Sequence, residues 1–141
     1  MAYCTQDDLL EQIDVATLIQ LTDDDKTGSV DESVITRACA DADAEIDSYC
    51  GKRYSVPFTT VPPIVRKMAV DITIYNIYGR RRGAPNNREK RYDDQIRLLK
   101  DVARGLVSLG ENDPDSTPAS ANTPHITSNP RIFSRTSLEG F

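Results

Sequence analysis

The chain has 141 residues, a formal net charge of −5, and 28% charged against 38% hydrophobic residues. That length points to one domain, the acidic balance disfavours a general nucleic-acid binder, and no apolar run reaches the roughly 18 residues of a membrane span. No apolar stretch opens the sequence, so no signal peptide is expected.

Thr5-Gln6-Asp7-Asp8 opens a short helix, with Thr5 as cap and Asp8 as the returning acid of a capping box. Leu9, Leu10 and Ile13 form its apolar side. Asp14 caps a second short helix, with Val15, Leu18, Ile19 and Leu21 expected inward.

The next stretch, Asp23 to Val34, imitates a calcium loop. Asp23, Asp25 and Asp31 are the candidate metal ligands, and Gly28 stands at the sharp turn. The twelfth place, which needs a bidentate Glu, is Val34. The favoured reading is an acidic turn feeding an Asp31 helix cap, with no metal bound; a calcium-dependent regulator is the reading it displaces.

The third helix runs from Asp31 to Gly51. Ile35, Ala38, Ala42, Ile46 and Tyr49 recur at three- and four-residue steps, with Asp41, Asp43, Glu45 and Asp47 mostly off that stripe. Gly51 is expected to end it in the left-handed region. Tyr49 and Tyr54 flank the stop as packing residues, and Val56 before Pro57 is expected to be extended.

Val61-Pro62-Pro63 begins the fourth helix, since proline suits a first turn. From Ile64 to Tyr78 it is apolar nearly all round, which implies burial on every side. A domain this small is expected to leave part of it for a partner, such as another copy. Arg80, Arg81, Arg82, Arg88, Lys90 and Arg91 then put six bases against one acid in a short window. Two readings stand side by side: a patch facing phosphate or an acidic partner, and a solvated turn that complements the helix dipole.

The fifth helix starts near Asn87, with Tyr92, Ile96, Leu99, Ala103 and Leu106 as its inward seam, an Asp93–Arg97 pair outside and Gly110 as its stop. The expected fold is all-α: a small bundle of about five helices, two short and three long. Residues 1–110 form the helical domain. Residues 111–141 form a polar linker that does not fold alone, then a docking tail built on Arg131, Ile132, Phe133, Arg135, Leu138 and Phe141.

Cys4, Cys39 and Cys50 read as scattered thiols of a reducing compartment, without zinc-ligand spacing. Cys39 and Cys50 lie about 16 Å apart along one helix, too far to bridge. The single histidine, His125, falls in the polar tail. No nucleophile elbow, metalloprotease, phosphate-loop or dinucleotide motif occurs, so neither catalysis nor a cofactor is expected.

Three segments in order carry a resemblance: Ala42 to Tyr49 with Arg53-Tyr54-Ser55-Val56-Pro57, then Ala69-Val70-Asp71-Ile72 to Tyr78 with Arg80-Arg81-Arg82, then Arg131-Ile132-Phe133-Ser134-Arg135. Together they resemble the Mu-like phage and prophage family grouped with head–tail connector, or adaptor, proteins. Cys50 departs from the aliphatic residue expected there. A buried thiol packs like a small hydrophobe, so little changes.

The resemblance implies a subunit of a closed ring, about twelve copies, beneath the portal protein. The ring would extend the DNA channel, pass DNA without gripping it, and meet a tail or stopper protein. The location implied is the head–tail junction of a virion, reached from the host cytoplasm, with no membrane. A nucleic-acid-binding module using Arg80 to Arg91 is the alternative.

Overall fold

The computed structural model describes residues 2–81 and 83–110. Among them are five helices and no strand: α1 (Gln6–Leu10), α2 (Val15–Thr22), α3 (Glu32–Cys50), α4 (Pro63–Arg81) and α5 (Asn86–Ala103). The protein is all-α, with two short helices and three long ones, as the periodicity predicts. The docking tail from Arg131 to Phe141, the linker, His125 and Arg82 lie outside the described residues. No described helix is long and apolar enough to cross a membrane.

Local chemistry sets the helix starts. Thr5 and Asp8 close a full capping box on α1. Asp14 accepts the Thr17 N–H at 3.0 Å, and Asp31 accepts those of Ser33 and Val34 at 2.8 and 3.4 Å. The buried Thr22 hydroxyl donates to the Leu18 carbonyl and accepts the Asp31 N–H at 3.2 Å, tying the end of α2 to the start of α3. Pro63 is the first residue of α4, where its missing donor costs nothing.

Two helix ends differ from expectation. Gly51 is right-handed (φ −61°, ψ −14°), so left-handed freedom is not its role. A Cβ there would lie 2.9 Å from the Asp47 backbone carbonyl oxygen and 3.2 Å from the Val56 side chain, so small size is what the site demands. α5 stops at Ala103, well before Gly110. Gly105 takes φ +80°, its N–H reaches the Val102 carbonyl, and the Leu106 N–H reaches that of Asp101. Those two bonds are a Schellman motif. Leu106, expected on the inward seam, follows the stop and is 73% exposed.

α4 is the axis of the bundle. Val65, Met68, Ala69, Val70, Ile72, Ile74 and Ile77 are all buried by α1, α2, α3 and α5 of the same chain. The expectation that one copy could not cover α4 is therefore corrected: four surrounding helices suffice. Among the described residues the exposed large hydrophobics are Val15 and Leu106, and Val15 was expected to face inward. It opens α2 at the end that meets solvent.

From α3, Ile35, Ala38, Ala42 and Ile46 are buried as their spacing predicts, together with Cys39 and Cys50. α5 runs antiparallel to α4, with Tyr75 stacked on Tyr92 at 4.1 Å and Asp71 facing Gln95. Its buried line is Gln95, Leu99 and Val102; Tyr92 and Ile96 pack only partly. Its surface ion pair is Arg97–Asp94 at 3.7 Å, in place of the expected Asp93 pair.

The segments flanking α3 close the other side. The Tyr3 N–H donates to both Asp43 carboxylate oxygens, and its hydroxyl donates to Asp47 at 2.5 Å. That hydroxyl also accepts the Phe58 N–H at 3.0 Å. Burial, with the Asp47 bond next, holds the Tyr3 phenol above its ordinary pKa. Tyr54 is buried and its hydroxyl accepts the Leu109 N–H at 3.0 Å, in line with a packing role. The Val56–Pro57 peptide is cis.

Candidate functional site

The described residues singled out by charge gather where α4 ends and α5 begins, and four of them, Arg80, Arg81, Arg88 and Arg91, have partners inside the chain. Arg80 donates to Asp24 at 2.5 and 3.0 Å and to the Leu21 carbonyl at 3.2 Å. Arg81 donates to the Gln20 and Asp23 carbonyls, both at 2.7 Å, and to Asp24. The last turn of α2 carries carbonyls without helical partners and the negative end of its dipole. These arginines complement that end of α2, not only the end of α4 on which they sit. Hydrogen bonds from Arg80 and then Arg81 bring the Asp24 carboxyl down to about 2.

Arg88 and Arg91 form a second group. Arg88 donates to the Gln12 backbone carbonyl at 2.9 Å, and Arg91 to the Gln12 side-chain oxygen at 2.8 Å. Gln12 lies in the corner between α1 and α2, so α5 grips that corner as α4 grips the far end of α2. The Arg91 guanidinium also stands 3.5 Å from Asp71 Oδ1. Asp71 is buried, and its other oxygen accepts the Gln95 side-chain N–H at 3.0 Å. Oδ1 has no hydrogen bond among the described residues, so its compensation is the charge of Arg91. Lys90 is exposed.

The acidic loop is a turn built on Asp23. Its carboxylate accepts the Thr27 N–H at 2.9 Å and the Gly28 N–H at 2.7 Å, with Gly28 at φ +77°. These bonds, Gly28's first, hold its carboxyl below the usual range. Asp31 is turned to the start of α3, and Asp25 is exposed. Among the described residues no three His, Cys, Asp or Glu side chains converge as a metal site. Asp24, unremarkable in the calcium-like spacing, is the acid of this loop that holds a distant element.

A cleft of about 340 Å³ lies between α1 and the start of α4, lined by Glu11, Arg66 and Lys67 together with Val61 and Val70. Sequence spacing gave no sign of it, since its walls come from segments about 50 residues apart. Gln12 and Gln95 were also missed: each is one polar residue within or beside an apolar pattern, and only its partner gives it meaning.

The sequence pattern of the family described as "Bacteriophage Mu, Gp36" matches residues 3–128. The chain belongs to the Bacteriophage Mu Gp36 family. It is 32% identical over 99% of its length to the "Mu-like prophage FluMu protein gp36" of Haemophilus influenzae, covering 97% of that protein. It is 28% identical over 96% of its length to "Gene product J" of Escherichia phage Mu, covering 96% of that protein. This is a phage protein family, as the resemblance implied.

In this Gp36-family chain the first two of the three segments behind the resemblance do structural work; the third, Arg131 to Arg135, lies outside the described residues. Ala42 and Ile46 face the core, Asp43 and Asp47 hold Tyr3, and Glu45 accepts the Tyr92 hydroxyl at 2.8 Å. Ala69, Val70 and Ile72 form the centre of α4, and Arg80 and Arg81 fasten α2.

Proposed function

We propose that this chain is a structural head–tail connector of a Mu-like phage or prophage. Copies form a ring under the portal protein that extends the DNA channel and presents a platform to a tail or stopper protein. The carrying observation is membership of the Gp36 family along nearly the whole chain, residues 3–128. The engagement of charged side chains in holding helices together also supports a building block without catalysis.

α4 lends this reading no support, because its apolar surface is covered within the chain. The weight falls on exposed surfaces and on the sequence of the tail. Arg131, Ile132, Phe133, Arg135, Leu138 and Phe141 supply apolar and cationic anchors after a polar linker. Such a segment orders on binding. The binding partners in this reading are the portal protein or an adjacent copy.

The nucleic-acid reading of Arg80 to Arg91 is the weaker one. Arg80 and Arg81 already engage Asp24 and the end of α2, and Arg88 and Arg91 engage Gln12. Phage lacking Arg131 to Phe141 of this protein decide between them. The connector reading expects a folded helical domain with filled heads that fail to join tails. Normal joining, together with tight salt-sensitive DNA binding by the purified protein, overturns it.

A further inference from the structure

Cys4 lies in the irregular segment before α1 and Cys39 in the middle of α3, yet their sulfurs are 3.5 Å apart. Both thiols are free and buried. The Thr73 hydroxyl of α4 sits 3.4 Å from the Cys4 sulfur. Sequence separation hid this pair, which the spacing of the three cysteines made look scattered. Cys50, the third thiol, follows Cys39 by about 16 Å along α3 and is out of reach. We propose that Cys4 and Cys39 are a covalent cross-link site, closing to an intramolecular disulfide when a small disulfide oxidant reaches them.

The sulfurs already touch, so side-chain rotation and a small approach complete the bond. Access comes from the segment itself. Residues 2–5 lie outside any helix, and Tyr3 fastens them through Asp43, Asp47 and Phe58. Local opening of this segment, which breaks the Tyr3 bonds, exposes Cys4 without unfolding the five helices. Once open, Cys4 is an ordinary solvent-exposed thiol. Its thiolate attacks one sulfur of the oxidant, whose S–S bond breaks and releases one thiol. On reclosure the Cys39 thiolate attacks the Cys4 sulfur of the mixed disulfide and expels the second thiol. The two protein thiols give up two electrons and two protons, and the oxidant is reduced to two thiols. Cys50 is pushed up to about 11 by burial and stays a thiol.

The cross-link fixes the N-terminal segment to α3 and closes a long loop. The inference does not depend on the connector reading. The test uses the purified, reduced full chain and oxidised glutathione, followed by intact mass, non-reducing peptide mapping and thermal melting. Expected is a monomer that has lost two hydrogens, with Cys4 and Cys39 peptides joined, Cys50 free, and a Tm raised by roughly 10 °C and restored by dithiothreitol. A Cys50→Ser variant behaves the same way. Retained glutathione on either cysteine, links through Cys50 or between chains, or an unreacted folded protein whose thiols all react in urea would each overturn the proposal.

Discussion

Gln95 donates its side-chain N–H to the buried Asp71 carboxylate at 3.0 Å, joining α5 to α4 by a polar bond within an apolar interface. A buried donor left without its acceptor costs more than the bond itself contributes. Asp71→Leu is therefore expected to destabilise the protein by about 1–3 kcal/mol, by orphaning Gln95. Adding Gln95→Leu should recover much of that loss. Urea denaturation of the two single variants and the double variant measures the coupling; strict additivity would show that the pair does not act as a unit.

The Asp24 clasp gives the protein a specific acid sensitivity. Its carboxyl is lowered to about 2 in the fold by Arg80 and Arg81, against a value near 3.9 in an unfolded chain. A depressed carboxyl contributes stability that is complete above the unfolded value and is lost as pH falls through the folded one. Asp24→Asn should thus be less stable than the parent above about pH 5, with the gap closing towards pH 2. Thermal melts across that window check it, and a pH-independent gap would contradict the assignment.

Because α4 is covered by its own chain, the described helices need no second copy to stay folded. The Tm of the purified protein is expected to be independent of concentration over a hundredfold dilution. Ile74→Ala, at a fully buried position of α4, should cost about 2–5 kcal/mol. Val15→Ala, at a position 52% exposed, should be within about 0.5 kcal/mol of the parent. A Tm that climbs with concentration would reinstate the partner that the sequence pattern suggested for α4.

Gly105 should tolerate no side chain without loss. Its φ of +80° is left-handed, and an added Cβ would meet the Arg53 guanidinium at 2.6 Å. The guanidinium is the far end of a flexible side chain and can yield; the backbone cannot. Gly105→Ala is expected to cost about 1 kcal/mol or more, measurable by urea denaturation. Gly110→Ala also carries a left-handed penalty at φ +101°, but it lies beyond the end of α5 and meets nothing, so the smaller effect is expected there.

Much of the helix plan could be read directly. Thr5, Asp14 and Asp31 cap helices because a side chain two or three residues away from a free N–H decides the matter locally. The α3 stripe was legible for the same reason. The end of α5 was misjudged because Gly105 and Gly110 offer the same local signal, and the earlier one meets the geometry first. The charged cluster from Arg80 to Arg91 was visible as a composition, but its partners were not. Asp24, Gln20 and Gln12 come from other helices and corners, and no periodicity links them.

By itself, then, the sequence determined the five helices, the N-caps of α1, α2 and α3 and the membership of a phage family, since these depend on residues near in the chain or on the ordered whole of it. Only the tertiary structure decided that α4 is sheathed by its own neighbours, that Arg80 and Arg81 close α2, and that Cys4 meets Cys39. Each of those depends on how helices pack around one axis, and hydrophobic burial, being non-directional, fixes which faces turn inward without naming what they meet.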